Sequence, residues 1–168
     1  MKVKGILTED MVNYKKISLT IMMPYCDFKC ERECGLKVCQ NSPVANYPTI
    51  EIEVNDLVDN YYLNNVLSEA IVFQGLEPFD SWDDLLEFIK AFISKSDDDI
   101  VIYTGYTESE IKDKVDILRD LVKDKNTLIV KYGRYIPNQK SHYDEFLGVA
   151  LASDNQYSIM ENRMRPMN

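Results

Sequence analysis

Residues 17–43 read ISLTIMMPYCDFKCERECGLKVCQNSP, and the rest of the chain takes its meaning from this stretch. Residues 17–23 are apolar and rich in β-branched side chains. They are bounded by Lys15 and Lys16 before and Pro24 after, the pattern of a buried strand. All four cysteines of the chain, Cys26, Cys30, Cys34 and Cys39, fall in the loop behind that strand, which Pro43 closes. Thiols clustered this tightly are a binding site for a soft metal or an iron–sulfur cluster rather than scattered core residues.

Working outward, the chain of 168 residues has a globular composition, 45% hydrophobic and 28% charged, and is long enough for one domain with a core over about residues 17–159. A net charge of −9 argues against nonspecific binding to nucleic acid or to anionic membrane. No run approaches the roughly 18 apolar residues of a membrane helix. The N-terminal MKVKGILTEDMVNYKK has acidic residues where a signal peptide would have its apolar centre. The expectation is a cytoplasmic protein with reduced thiols, in which clustered cysteines are metal ligands and not disulfides.

Beyond the cysteine loop the pattern alternates. Residues 48–54 suggest a turn or brief extended segment, and Asn55 is placed to cap a helix carrying Leu57, Val58, Tyr61 and Tyr62. Residues 70–73 (AIVF) read as a buried parallel strand ending at Gln74-Gly75. Ser81 is the expected N-cap of a helix with Leu85, Leu86, Phe88, Ile89, Phe92 and Ile93 at helical spacing. Residues 100–103 read as the next strand. Thr107 and Glu110 then form a capping box for a helix carrying Ile111, Val115, Leu118 and Val122. Residues 127–130 are a further strand, 132–145 a loop, 146–151 a last strand, and the tail after Glu161 is expected to fray. The acidic run 97–99 reads as a solvated helix–strand turn, His142 as a surface loop residue and Trp82 as packing.

This rhythm predicts an α/β fold of βαβ units with a mainly parallel sheet. Right-handed crossovers then bring the strand C-termini to one edge, where ligands bind. The cysteine loop, GLEP (75–78), TGY (104–106), GRY (133–135) and SDNQ (153–156) all fall at that edge. Cysteine spacing alone leaves both zinc and an iron–sulfur cluster open. The gaps of three, three and four residues fit a paired zinc site poorly.

The segment resembles the cluster loop of the radical S-adenosylmethionine (SAM) enzymes. Within them the chain most resembles the activating proteins of anaerobic ribonucleoside-triphosphate reductase. Cys26-Asp27-Phe28-Lys29-Cys30 matches the first two ligands of C-x3-C-x2-C, and Cys39-Gln40-Asn41 the third ligand in its C-x-N setting. Gly75-Leu76-Glu77-Pro78 is similar to the G-G-D/E-P motif at the methionyl part of SAM. Thr104-Gly105-Tyr106 is similar to the W-T-G-Y strand end, Gly133-Arg134-Tyr135 to D-G-x-F/Y, and Asn155-Gln156 to the end of S-S-N-Q. The chain departs from the pattern in eight residues between Cys30 and Cys39, with Cys34 among them, in Val38 where an aromatic residue is usual, in Leu76 for a glycine and in Tyr132 for an aspartate.

The resemblance implies a partial, open (β/α) barrel of the radical SAM type. It implies a 4Fe-4S cluster on Cys26, Cys30 and Cys39, with Cys34 as the alternative third ligand, and SAM held by Gly75, Glu77, Pro78, Thr104, Gly105, Tyr106, Asn155 and Gln156. The activity implied is reductive cleavage of SAM to a 5′-deoxyadenosyl radical that takes hydrogen from a glycine of the anaerobic reductase. The partners implied are that reductase or another glycyl-radical protein, and a one-electron donor such as flavodoxin or ferredoxin. A radical SAM enzyme with another substrate and a non-catalytic zinc-binding interaction protein are the alternatives. Plainer roles stand beside these: Gly75 and Pro78 suit a strand-to-helix turn, Glu77 a solvated loop, Thr104 a strand end, and Asn155 and Gln156 a turn.

Overall fold

The structure, a computed structural model, describes residues 1–162. In chain order its elements begin with β1 (Lys2–Val3), β2 (Gly5–Asp10), β3 (Ser18–Met23), α1 (Lys29–Cys34), β4 (Ile50–Glu51) and α2 (Val54–Asp56), which runs into a π-helical segment, Leu57–Tyr62. There follow β5 (Ala70–Gly75), α3 (Trp82–Ile93), β6 (Asp99–Tyr103), α4 (Glu108–Val122), β7 (Leu128–Tyr132), β8 (His142–Asp144), β9 (Val149–Leu151) and β10 (Tyr157–Met160).

The main sheet has six strands in the order β10-β7-β6-β5-β3-β2 and is open, with β10 and β2 as its edges. Its four central strands are parallel, with Leu19 opposite Ile71, Ile71 opposite Ile100 and Ile100 opposite Leu128. These strands are buried along most of their length and mainly apolar because both of their faces are covered. One face (Leu19, Ile21, Ile71, Phe73, Ile100, Ile102, Val130) packs against the helices. There Phe73 meets Phe88 of α3 edge-on at 5.2 Å, and Tyr62 meets Phe92 at 4.7 Å. The other face (Ala70, Val72, Val101, Ile129) is covered near its base by Tyr14, Leu147 and Leu151 from loops and the β8–β9 hairpin. Because the parallel strands follow chain order across the sheet, each crossover steps the same way and the strand C-termini share one edge.

The expected central strands and the helices α3 and α4 form where the periodicity places them, and the Thr107–Glu110 capping box makes both of its bonds. Several details differ. The helix after residue 53 is capped by Glu53 rather than Asn55, and Tyr61 faces solvent while Leu57, Val58 and Tyr62 are buried. Ser81 stands at the N-cap of α3, but its hydroxyl is buried without a partner. Residues 132–145 are not all loop: Tyr132 ends β7, and half-buried His142 opens β8. The last strand is β10, antiparallel to β7, and β9 instead closes the hairpin with β8. The acidic run is not uniformly solvated: buried Asp99 accepts from the Tyr14 hydroxyl at 2.8 Å and pairs with Lys16 at 2.6 Å, and Asp98 accepts from the Tyr62 hydroxyl at 2.8 Å. Apart from Asn162, the tail after Glu161 lies outside the described residues. Among the described residues no helix is long and apolar enough to cross a membrane.

Candidate metal centre

The chain leaving β3 stays beside the chain leaving β5. Leu76 N donates to Met23 O at 3.3 Å and Glu77 N to Tyr25 O at 2.8 Å. That approach requires a glycine at 75, where φ is +88° and a Cβ would meet Met22 Cα at 3.1 Å and Met23 N at 3.3 Å. Beyond it, Cys26 Sγ accepts from Phe28 N at 3.2 Å, and Phe28, in the left-handed region, turns the chain into α1. Cys30 lies in the first turn of that helix, and Gly35 ends it at φ +69°. Cys39 is brought back by its N–H, which donates to Glu31 Oε1 at 3.3 Å.

These turns place Cys26, Cys30 and Cys39 on one wall of a cleft of about 360 Å³ at the strand C-termini. Gly75, Glu77, Thr104, Gly105, Tyr106 and Gln156 line the same cleft. Cys34, the last residue of α1, is exposed outside it, with Leu36 O 3.4 Å from its sulfur. Pro78 opens a buried 3₁₀ turn behind Glu77. Asn155 supports the cleft from behind: its Nδ2 donates to Arg134 O at 2.7 Å.

Glu77 is not a solvated loop carboxylate but a buried hub of the cleft lining. Its Oε1 accepts from the Thr104 hydroxyl at 2.8 Å and from Phe79 N at 3.1 Å, and its Oε2 accepts from Gly105 N at 2.9 Å. Burial pushes this carboxyl up to about 7 against the pull of those donors. The Tyr106 hydroxyl donates to Asp80 Oδ1 at 2.7 Å, and Gly133 N donates to Tyr106 O at 3.0 Å. The TGY and GRY segments are thereby tied into one rim. Gln156 holds the far end: its Oε1 accepts from Ala152 N and Ser153 N at 3.1 and 3.2 Å, and its Nε2 donates to Gly133 O at 3.3 Å.

Gly133, at φ +96°, has no room for a side chain, since a Cβ would lie 2.9 Å from Asn155 O. Gly133→Ala is therefore expected to destabilise the protein by roughly 2 kcal/mol through backbone strain and displacement of residues 155–156. A lowered thermal midpoint checks this, and an unchanged one refutes it.

An ionic cluster closes the cysteine-loop side. Arg134 makes a bidentate contact with Glu110 at 2.8 and 3.0 Å, and Lys29, next to Cys30, also pairs with Glu110. Glu110, legible in the sequence only as a capping residue, thus joins α4, α1 and the GRY segment. The arginine contact, foremost, holds its carboxyl well below the usual carboxylate range.

The thiols are suited to a cationic group. Burial, then the charges of Glu77 and Asp80, push Cys26 up to about 12; burial and the neighbouring Cys39 push Cys30 up to about 11. Such thiols stay protonated until a metal or cluster iron displaces the proton, as a coordinating cation does. Three sulfur donors on one wall therefore fit an iron–sulfur cluster. Carboxylate oxygens of Asp27 and Asp80 also lie within 4.8 Å of one another and of Cys26 Sγ.

Lys131 was missed in the sequence-based site. Strand alternation turns it into the cleft and turns Tyr132 to the helix face, where the Tyr132 hydroxyl donates to Glu161 Oε1 at 2.6 Å. The available signal was a charged residue within an apolar strand whose faces are both covered.

No curated protein and no solved structure matches the chain. The sequence profile of the 4Fe-4S single cluster domain matches residues 15–156, from just before β3 to the last residue of the cleft wall. The matched span takes in all four cysteines and each strand that ends at the cleft, and the chain accordingly belongs to the 4Fe-4S single cluster domain family of iron–sulfur proteins.

Proposed function

We propose that the protein is a radical SAM enzyme that activates a glycyl-radical protein, the anaerobic ribonucleoside-triphosphate reductase, in the cytoplasm. The observation that carries this reading is that three cysteines, Cys26, Cys30 and Cys39, line one cleft together with the ends of β5 and β6 while Cys34 lies outside it. Three protein ligands to a four-iron cluster leave one iron for SAM. The open six-stranded sheet is then a partial (β/α) barrel with its mouth at the cleft.

Cys26, Cys30 and Cys39 would hold the cluster, and when bound the cluster and SAM would supply the chemistry, a one-electron reductive cleavage of SAM, with flavodoxin or ferredoxin as donor, that leads to hydrogen abstraction from a glycine. The chain's own part is positional. Gly75 lets the β5 end run flush with β3, leaving the peptide groups of residues 75–77 at the cleft wall. Glu77 fixes the Thr104–Gly105 segment in the lining of the same cleft. Gln156 and Asn155 hold the Gly133 turn, and the Glu110 cluster holds α1 and Cys30 over the opening.

Anaerobic reconstitution followed by iron and sulfide analysis is expected to give about four irons per chain with equal sulfide. Reduction with SAM should then release 5′-deoxyadenosine, and added reductase should acquire a glycyl EPR signal. One tightly held zinc and no sulfide would sink the reading; cleavage without a glycyl signal would redirect it to another substrate.

A further inference from the structure

Lys131 is only 7% exposed, and yet it lines the cleft. Of its three ammonium donors, one reaches Gly133 O at 2.8 Å. Among the described residues no carboxylate pairs with it. The charge it feels is that of Glu77, whose two carboxylate oxygens already receive Phe79 N, the Thr104 hydroxyl and Gly105 N. A buried cation without an ion partner carries a desolvation cost that a bound anion offsets. Burial pushes this lysine down to about 8, which leaves it charged at neutral pH.

Its place in the sheet says which part of a ligand it meets. Lys131 lies opposite Tyr103 in the β6–β7 ladder, and β7 is separated from the cysteine-bearing end of β3 by β6 and β5. Three ladder steps are roughly 14 Å, so Lys131 stands about that far across the sheet from the end of β3. Arg134, the nearest other cation in sequence, is spent on Glu110. One compact ammonium with no second basic group suits a singly charged carboxylate better than a phosphate. Asp27 and Asp80, beside Cys26, would repel such a group there.

We propose that the β7 end of the cleft is an anion subsite in which Lys131 Nζ receives a carboxylate of the substrate. Calling that molecule the substrate rests on the function proposed above; the subsite itself rests on the buried, unpaired lysine. The carboxylate belongs either to a free organic acid or to an acidic side chain beside the target glycine of a polypeptide loop.

The test is calorimetric titration of the anaerobically reconstituted protein with succinate, with a blocked glycyl-aspartyl tetrapeptide and with its glycyl-asparaginyl counterpart. Wild type is expected to bind succinate or the aspartyl peptide at millimolar concentration or better. Lys131→Met should weaken that binding roughly tenfold or more, the scale of a charged hydrogen bond, and Lys131→Arg should retain it within about threefold. The probe that shows the Lys131-dependent gain names the source of the carboxylate. Equal affinities of wild type and Lys131→Met for both succinate and the aspartyl peptide, or no binding of either acid by wild type, would overturn the proposal; an asparaginyl peptide bound as tightly as the aspartyl one rules out the peptide source. A lysine that merely caps Gly133 O would move the thermal midpoint and leave these affinities alone. The titration needs no SAM turnover, so Lys131-dependent binding without SAM cleavage would refute the proposed function and leave the subsite standing.

Discussion

Cys39→Ala is expected to bring the iron content of the reconstituted protein from about four per chain to near zero, with loss of the thiolate-to-iron absorption. Cys34→Ala is expected to leave both unchanged. The prediction rests on position: Cys39 lies in the cleft with Cys26 and Cys30, whereas Cys34 ends α1 exposed to solvent. A cluster held by three thiolates has no spare ligand, so Cys26→Ala and Cys30→Ala should match Cys39→Ala. Iron lost on Cys34→Ala but kept on Cys39→Ala would reverse the ligand set. It would also mean that the bond from Cys39 N to Glu31 Oε1 does not hold the loop in this arrangement.

The second large effect belongs to Glu77. Its removal in Glu77→Ala leaves Gly105 N, Phe79 N and the Thr104 hydroxyl without their acceptor. An unsatisfied buried polar group costs about 1–3 kcal/mol, so the substitution should lower stability by roughly 3 kcal/mol or more and loosen the Thr104–Gly105 part of the cleft lining. A urea midpoint within error of wild type would refute this.

Glu77 also gives the protein a pH signature. Its ordinary value of 4.5 is raised by burial to about 7 in the folded chain. As pH rises above 4.5 the unfolded chain releases this proton first. The contribution of Glu77 to stability is therefore fully present below pH 4.5 and lost as pH climbs through about 7. The loss amounts to about 3 kcal/mol over that window. Glu77→Gln, which cannot ionise, should flatten the corresponding part of the pH–stability curve. Parallel curves for the two proteins between these values would show that the carboxyl is not perturbed.

The parallel core was legible because strands covered on both faces must be apolar throughout. Residues 17–23, 70–73, 100–103 and 127–130 could hardly be anything else once each was followed by a turn. β2 and β10 were not legible. They are edge strands with outward positions open to solvent, so Thr8, Glu9 and Tyr157 blur the apolar signal. The β8–β9 hairpin was missed because each strand has three residues, too few for a period of two to show. Asn55 looked like a cap because its side chain is suited to one, but the helix begins two residues earlier than that cap would allow, at Val54.

The residues themselves determined the soft-donor chemistry, since four cysteines in one loop have no other economical use, and the strand ends to which the loop and the later motifs belong. Only the tertiary structure decided which thiols share a cleft. Spacing along the chain cannot separate Cys34 from Cys39, because α1 and the turn at Gly35 set the direction in which each points. Tertiary structure also turned Glu77 from a loop carboxylate into a buried hub and brought Lys131 into the site. Both outcomes depend on which face of a strand, or which neighbouring segment, a side chain meets, and that is fixed by packing across the sheet rather than by any local run of sequence.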